Sequence, residues 1–355
     1  MFEVKEFEDD KKYIHDFLSL PKKLYSKDEM MQNIEEERKI LENRHILSKY
    51  FRIKKFLVYQ GKEVVARCIV TFYDQDDISY IGFFECIDDL KCAKSLFDYV
   101  FEFVKKQGYK TLIGPVDASF WIKYRLKVNL FDKKPYTGEP YNKDYYLKLF
   151  QENGFDEKIK YVSNIFDVIP KDYVDETMKK RYQMFVERDY KIISPSKKDF
   201  LKCVNEIYDL IIELYKDFPV FKYIEREDFV ELFSYYKAIL NFDMVKLAYY
   251  DNKAVGFFLS VPNYHNRLYG KLNILDKLKI LKDKKTLKSY VLLYMGVKRE
   301  HVGLGKAIAY TILENAKKNE YCTIGALIKS GKTNEMYLKD KIENKYEYIL
   351  LEKKL

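Results

Sequence analysis

The stretch MGVKREHVGLGKAIAYTILENAKK, residues 295–318, is the part of the sequence that decides the fold. An apolar strand pattern ends at Val297, and a short polar loop follows it. Val302-Gly303-Leu304-Gly305-Lys306-Ala307 then opens a segment with apolar residues at helical spacing. Small residues at 303, 305 and 307 allow close approach to the backbone, and the first N–H groups of a helix lack helical acceptors. The stretch therefore predicts a phosphate site at a helix N-terminus.

Two familiar phosphate-binding patterns do not fit this chain. A P-loop needs four residues between its glycines, but Gly325 and Gly331-Lys332-Thr333 are separated by five. A dinucleotide-binding fingerprint needs a third glycine and an acidic residue at the end of the next strand. Ile308 stands at that glycine position, and the following strand, TIGALIKS, ends in lysine and serine. Both classes are therefore excluded.

The strand, loop and helix do resemble the pyrophosphate loop of GNAT acetyltransferases, usually Arg/Gln-x-x-Gly-x-Gly/Ala after a core strand. Gly305 and Ala307 match its small positions, whereas Val302 stands where the family prefers Arg or Gln. The resemblance implies acetyl-CoA as co-substrate. It further implies cofactor contacts from Met295, Val297, Val302, Gly303, Leu304, Gly305, Lys306, Ala307 and Asn334.

The same order of elements occurs twice along the chain. A helix, a hairpin, a strand, a helix, a strand, a helix and a strand repeat at a spacing of about 190 residues. A chain of 355 residues also exceeds what one core usually supports. We therefore predict an α+β protein of two tandem GNAT-like domains, 1–169 and 170–355, each with a mixed, mainly antiparallel sheet flanked by helices.

The first half has the pattern of a degenerate copy that does not bind CoA. The segment FFECIDDLKCAKSLFDYV, residues 83–100, has no glycine between strand and helix, and Asp88-Asp89 would repel a pyrophosphate there. Further on, LFQENGF resembles the closing segment of GNAT domains, with Phe150 where many members have tyrosine. Residues 114–155 also resemble a group of bacterial GNAT-like proteins that has no assigned substrate.

An irregular aromatic segment, residues 117–142, follows the fourth core strand of the first half. Its aromatic residues can simply pack, which is the more common role of such side chains. Alternatively, the segment leans toward the other domain and lines an acceptor pocket. The candidate acceptor-binding residues are then Trp121, Arg125, Glu139 and Tyr141.

The residues for acid–base chemistry are ambiguous in the sequence. Counted from Asn334, the family's acid tyrosine falls near Lys341, which cannot take that role. Tyr337 and Tyr294 are the catalytic candidates, and Tyr346 and Tyr348 are nearby alternatives. Glu300 and His301 are chemically suitable bases, but we expect them in a loop that faces solvent and phosphate.

Composition narrows the class of protein. The chain has 34% charged residues, no apolar run of the about 18 residues a span needs, and an acidic start without a signal-peptide core. These features predict a cytoplasmic protein without membrane contact, whose five unpaired cysteines are reduced. The four histidines have no metal-ligand spacing, so no metal is expected. The net charge of +9, carried mostly by lysine, favours a solvated surface over a nucleic-acid site.

The leading functional hypothesis is an acetyl-CoA- or acyl-CoA-dependent N-acyltransferase. Its acceptor would be a small-molecule or peptide amine, and the protein would be a monomer or homodimer. Two alternatives stay open: a Fem-like transferase that uses aminoacyl-tRNA, and a non-catalytic acyl-CoA-binding sensor.

Overall fold

A computed structural model describes residues 1–270, 272–284 and 286–355. The chain forms two compact units by its internal contacts. Unit 1 contains Met1–Tyr161, His265–Leu272 and Glu347–Leu355, and unit 2 contains Val162–Tyr264 and Asn273–Tyr346. The division falls earlier than the predicted boundary at 170, and each unit is built from more than one segment of chain.

Unit 1 is an α+β unit whose main sheet has the order β1-β2-β3-β4-β5-β15. Its elements are β1 (Phe2–Phe7), α1 (Lys11–Ser19), α2 (Pro21–Leu24), α3 (Ile34–Leu41), β2 (Arg52–Gln60), β3 (Glu63–Phe72), β4 (Ser79–Cys86), α4 (Leu90–Lys106), β5 (Thr111–Gly114), β6 (Val116–Asp117), β7 (Lys123–Tyr124), β8 (Leu126–Lys127), α5 (Tyr146–Glu152) and the first half of β9 (Asp156–Phe166). The apolar face of α4 packs into the core through Leu96, Phe97 and Val100. This buried face holds the helix against the sheet.

Unit 2 has the strand order β9-β14-β13-β12-β11-β10. Its elements are the second half of β9, α6 (Glu176–Val186), β10 (Lys191–Ile193), α7 (Phe200–Tyr215), α8 (Arg226–Phe233), α9 (Tyr236–Ile239), β11 (Val245–Tyr250), β12 (Lys253–Pro262), α10 (Ile274–Asp283), β13 (Ser289–Val297), α11 (Leu304–Asn319), β14 (Cys322–Lys329) and the start of β15 (Asn344–Lys354). Strands β10 to β13 pair in antiparallel fashion, whereas β13 and β14 are parallel. Helix α11 buries Ala307, Ile308 and Ile312 in the core of this unit.

Each unit takes a closing strand from the other half of the sequence. The residues Val162–Phe166 of β9 belong to unit 2, where β9 is the neighbour of β14. The last strand, β15, returns to unit 1 and pairs with β5 in antiparallel register from Leu351↔Gly114 to Lys354↔Thr111. The backbone groups at the β5 edge of unit 1 are therefore satisfied by the C-terminus of the chain.

The predicted mixed α+β architecture is confirmed. Residues 27–46 have a helical pattern in the sequence, but only Ile34–Leu41 is α-helical. The short strand β10 and the helix α10 were not predicted. The helix expected after β14 is wrong as well. Two 3₁₀ turns, Thr333–Met336 and Lys339–Lys341, replace it, because the polar stretch around Gly331 lacks an apolar face.

In the described part of the chain, no helix is long and apolar enough to span a bilayer. The same residues contain no group of three or more His, Cys, Asp or Glu side chains that could hold a metal ion. All five cysteines are free thiols.

Candidate functional site

The glycine loop of unit 2 folds as a helix start that is open to a ligand. Gly303 is the N-cap of α11 and has a φ of 94°, a left-handed conformation that favours glycine. No side chain caps this helix, so the N–H groups of its first turn are not taken by a side-chain acceptor. Val302 beside it is 84% exposed. The start of α11 is therefore uncapped and begins at a left-handed glycine, and the phosphate site there stays a prediction.

A positive side chain lies beside this helix start, although the sequence motif did not indicate it. The Nη1 atom of Arg181, on α6, is 3.5 Å from the position that a Cβ on Gly303 would occupy. Arg181 thus places a positive charge beside the helix start, near Val302, where the family prefers Arg or Gln. No local pattern could reveal this, because the arginine comes from a helix far upstream in sequence.

The two parallel strands next to the loop separate halfway along their length. Strands β13 and β14 are paired from Ser289↔Cys322 to Leu292↔Gly325 and no further. At the same level, the register between β12 and β13 shifts, since Leu259 faces Tyr294 while Ser260 faces Leu292. Leu293 is therefore the extra residue of a β-bulge, a feature that often marks functional sites. Sequence reasoning named Met295 and Val297 on this strand but missed Leu293.

The separation of β13 and β14 opens into a cleft with a cavity volume of about 100 Å³. Residues of α11, β13, β14, β9 and the 3₁₀ turn after β14 line it, among them Leu292, Leu293, Met295, Ala309, Ile312, Leu313, Ala316, Phe166, Asn164, Gly325, Asn334 and Tyr337. None of the residues that line it is charged. The cleft can therefore position a ligand by shape and by hydrogen bonds, and it contributes no side-chain base.

Tyr337 lies at the loop end of this cleft. Its hydroxyl is 3.2 Å from the position that a Cβ on Gly305 would occupy, and the Cε atom of Met295 and Cγ2 of Val297 are close to the same point. Burial raises the pKa of Tyr337 to about 12, so the phenol is neutral at ordinary pH. The structure thus brings the catalytic candidate Tyr337 close to Gly305, Met295 and Val297, which the sequence gave as cofactor contacts.

The other predicted residues of unit 2 have different positions, and the side chains of Leu304 and Ala307 are fully buried in the core. Asn334 is half-buried and lines the cleft. Tyr294 is half-buried on β13 opposite Leu259, next to the bulge. The backbone carbonyl of Met295 accepts a hydrogen bond of 3.3 Å from the Tyr215 hydroxyl on α7.

One buried polar atom in the cleft has no partner. Asn164, on β9, is 1% exposed, and its Nδ2 donates to the carbonyl of Glu335 at 2.9 Å. Its Oδ1 has no hydrogen-bond partner among the described residues. An unsatisfied buried acceptor costs about 1–3 kcal/mol. A ligand that donates an N–H or O–H group in this cleft would remove that cost.

The equivalent helix start in unit 1 is occupied by the chain itself. Oδ1 of Asp89 accepts hydrogen bonds from the backbone N–H groups of Lys91 and Cys92, at 2.7 and 3.0 Å. Strands β4 and β5 also separate after Tyr80↔Ile113, but β6 fills the opening. A Cβ on Gly82 would overlap the carbonyl oxygen of Val116 there. At this position, unit 1 therefore has a capped helix start and no open gap between the two strands.

The four candidate acceptor residues have different surroundings within unit 1. The Arg125 guanidinium lies over the rings of Tyr124 and Tyr161, and Trp121 packs edge-on against Phe120. Arg125 and Tyr141 share the lining of one small cavity, whereas Trp121 and Glu139 lie outside that lining.

Glu139 is part of a buried network. Its carboxylate contacts Lys127 Nζ at 2.9 Å and accepts a hydrogen bond from the Tyr348 hydroxyl at 2.7 Å. Burial raises the pKa of Glu139, and the Lys127 charge opposes that shift. Tyr348, one of the alternative acid candidates, is thereby bound into unit 1.

Comparison with known proteins places this arrangement in a fold class. No family model matches the sequence, and no curated protein matches it. Several solved structures, however, are similar to the whole chain. A tandem GNAT protein from the clavulanic acid biosynthesis pathway has a TM-score of 0.54 and 11% identity, covering 100% of this chain and 98% of its own.

Two further neighbours contain the same fold. A GCN5-related glucosamine N-acetyltransferase region of a fungal multi-domain GH3 beta-N-acetylglucosaminidase has a TM-score of 0.56 and 13% identity, covering 99% of this chain and 38% of its own. A GCN5-related N-acetyltransferase from Anabaena variabilis has a TM-score of 0.51 and 8% identity, covering 98% of this chain and 72% of its own. The chain therefore has the fold of GNAT N-acetyltransferases. More particularly, it has the tandem GNAT arrangement, as the sequence predicted.

Proposed function

We propose that unit 2 binds an acyl-CoA thioester and transfers its acyl group to an amine. One observation carries the proposal: an uncapped glycine-rich helix start stands beside two parallel strands that separate into a cleft. The fold supports the same conclusion, since all three neighbours above have the GNAT architecture.

The pyrophosphate of the donor would lie against the backbone N–H groups of residues 303–307. The partial positive charge of the helix start and the Arg181 guanidinium both favour an anion there. The pantetheine arm would then follow the free edge of β13 toward Leu293. The unpaired Oδ1 of Asn164 would accept a hydrogen bond from one of its amides.

The reaction needs the amine nitrogen to attack the thioester carbonyl. The C–S bond then breaks, the CoA thiolate takes up a proton, and the amine nitrogen loses one. Because the cleft lining is uncharged, its contribution is position and hydrogen bonding at the bulge rather than a strong base. Unit 1, whose corresponding helix start is capped by Asp89, would not bind the donor.

The test is isothermal titration of acetyl-CoA into wild type, Gly305→Glu and Gly305→Ala. Glutamate places a negative charge where the pyrophosphate would lie, whereas alanine keeps a small side chain and asks only for a slight shift of Tyr337. We expect micromolar binding by wild type, a loss of at least tenfold in Gly305→Glu, and less than threefold in Gly305→Ala. Equal binding by all three proteins would refute the phosphate site.

An acyl-transfer assay distinguishes between the transferase and the two alternative functions. Acylation of any amine in a panel of small amines and peptides supports the transferase. Acetyl-CoA binding without acylation of any of them points instead to a sensor. Absence of acetyl-CoA binding together with salt-sensitive tRNA binding points to an aminoacyl-tRNA-dependent enzyme.

A further inference from the structure

Helix α10 presents four large apolar side chains to solvent. Ile274 and Leu275 are 77% and 75% exposed, and Leu278 and Leu281 are about half exposed. No other helix in the part of the chain that the structure describes has more than two exposed large apolar side chains. A contiguous apolar surface of this kind typically marks an interaction site.

The packed side of α10 includes none of these four residues. Ile280 is the buried residue of the helix. At the C-terminal end, Nζ of Lys284 donates to the carbonyl of Ala238 on α9 at 3.3 Å. At about 100° of rotation per residue, the four exposed side chains lie about 100–160° around the helix from Ile280. The side of α10 that faces away from the protein is therefore apolar, where a surface helix normally carries polar residues.

Lysines border the exposed apolar side of α10. Lys277, Lys279 and Lys282 are exposed, and none of the three forms an ion pair with a residue that the structure describes. In the sequence, residues 271–288 contain seven lysines and two aspartates, which gives a net charge of +5. This is more than half of the net charge of +9 that the whole chain carries. The segment is therefore strongly basic as well as apolar.

We propose that α10 binds the surface of an anionic lipid membrane. Its apolar side would enter the acyl-chain boundary, where these side chains leave water, and its lysines would contact the lipid phosphates. A helix of ten residues is about 15 Å long, which is about half the thickness of the hydrocarbon layer, so α10 would lie in the interface. The sequence predicted no membrane contact from the lack of a spanning run and of a signal peptide, and neither criterion bears on a helix that lies in the interface.

Two other partners fit these observations less well. A nucleic acid would pair with the lysines but would leave the leucines in contact with water. A second copy of the chain would bring the same lysines together from both sides, and like charges oppose that contact. The exposed face of α10 also measures about 15 by 10 Å, or about 150 Å², whereas a stable interface buries about 800 Å² of each partner. An anionic membrane matches both the apolar side chains and the charge.

The experiment is co-sedimentation of the full chain with vesicles of phosphatidylcholine alone and of phosphatidylcholine mixed with phosphatidylglycerol. The apolar side is tested by Leu278→Gln, which keeps a good helix former. Leu201→Gln on α7 is the matched control, because Leu201 is 59% exposed and Leu278 is 58% exposed. Thermal unfolding checks that each variant is folded.

The charge is tested by replacing Lys277, Lys279 and Lys282 together with glutamine. The control variant replaces Lys105, Lys106 and Lys110, three exposed lysines of unit 1, and lowers the net charge of the chain by the same amount. Each protein is measured at low salt and at about 1 M salt, where the Debye length is about 3 Å. Sedimentation of the same proteins without vesicles reports their oligomeric state, and a duplex DNA fragment is the second anionic ligand.

We expect wild type to bind the mixed vesicles at least about tenfold more tightly than phosphatidylcholine alone at low salt, with most of the difference lost at high salt. Leu278→Gln should weaken binding by at least about fivefold, because the exposed part of one leucine no longer enters the lipid. The triple lysine variant should lose at least about tenfold, since each lysine near an anionic surface contributes about fivefold. Both controls should bind like wild type.

Three results would overturn this inference. The first is no binding to the mixed vesicles, or an equal loss in each variant and its control. The second is a wild-type dimer that Leu278→Gln converts to a monomer, which would show that α10 binds a second copy of the chain. The third is binding to DNA that exceeds binding to vesicles and does not depend on Leu278. None of these results bears on acyl-CoA binding by unit 2, which is tested separately.

Discussion

Adding one methyl group at Gly296 tests the packing that supports the donor strand. A Cβ at this position would lie 2.7 Å from Cδ1 of Leu214 on α7 and 2.7 Å from Cε1 of Phe257 on β12. Leu214 can move because it is only half-buried, but the Phe257 ring is fully buried. Overpacking of this kind costs about 1–3 kcal/mol. We therefore expect Gly296→Ala to lower the free energy of unfolding of unit 2 by that amount.

Gly325→Ala is the matched control, because it adds the same methyl group on the neighbouring strand. Its Cβ would be no closer than 3.5 Å to any neighbouring heavy atom, which is ordinary van der Waals contact. We expect Gly325→Ala to leave the free energy of unfolding unchanged or to raise it by up to about 1 kcal/mol, because alanine reduces the conformational freedom of the unfolded chain.

The assay is thermal and urea unfolding of wild type and both variants, with the transition of unit 2 followed separately. A change of 1 kcal/mol corresponds to about 2–4 °C for a unit of this size, so Gly296→Ala should melt about 2–12 °C lower. A wild-type Tm for Gly296→Ala, or equal losses in both variants, would contradict the packing argument.

Three further variants test the helix starts and one buried histidine. Asp89→Ala removes the N-cap of α4 and should lower the free energy of unfolding, measured with urea, by about 1 kcal/mol. Asp89→Asn keeps a capping side chain and should lose much less. Val302→Arg adds a charge beside Gly303 on an exposed position, so acetyl-CoA should bind about two- to fivefold tighter at low salt, with the gain lost at high salt. Burial lowers the pKa of His265, so the unfolded state binds the proton more readily, and stability should fall as pH drops below about 6.5. His265→Asn, which keeps a residue tolerant of the φ of 53°, should lose less stability between about pH 7.5 and 5.5.

The sequence predicted the fold best at positions where the local conformation strongly favours one residue type. Gly303 and Gly305 between an apolar strand and an apolar-periodic helix predicted the helix start, and the structure places Gly303 in the left-handed conformation that only glycine adopts easily. Gln60-Gly61-Lys62 between two apolar runs is typical of a hairpin, and β2 and β3 meet there with Gly61 at a φ of 64°. Local chemistry decides both features.

Features set by residues distant in sequence were not predictable. Arg181 approaches Gly303 from a helix that precedes it by more than a hundred residues. The bulge at Leu293 depends on the register between β12 and β13, which no single-strand pattern reports. The exchange of β9 and β15 between the units likewise depends on which strand edges remain unpaired.

The position of Tyr337 favours a binding role over the acid role that the sequence suggested for it. Its hydroxyl lies beside Gly305, Met295 and Val297, whereas the bulge residue Leu293 is four strand positions before Val297, which corresponds to about 13 Å. The phenol is therefore closer to the expected phosphates than to the thioester. A hydrogen bond to a charged phosphate contributes about 1.5–3 kcal/mol.

Tyr337→Phe should therefore weaken acetyl-CoA binding by at least about tenfold, since 1.4 kcal/mol is a factor of ten in affinity. Tyr310→Phe, on the same unit but outside the cleft, is the control and should bind like wild type. Because burial raises the pKa of Tyr337 to about 12, the phenol stays protonated, and the ratio of the two affinities should not change between about pH 6 and 10. Unchanged affinity in Tyr337→Phe combined with slower acyl transfer would instead assign Tyr337 to the departing thiolate, and the phosphate contact argued from its position would be wrong.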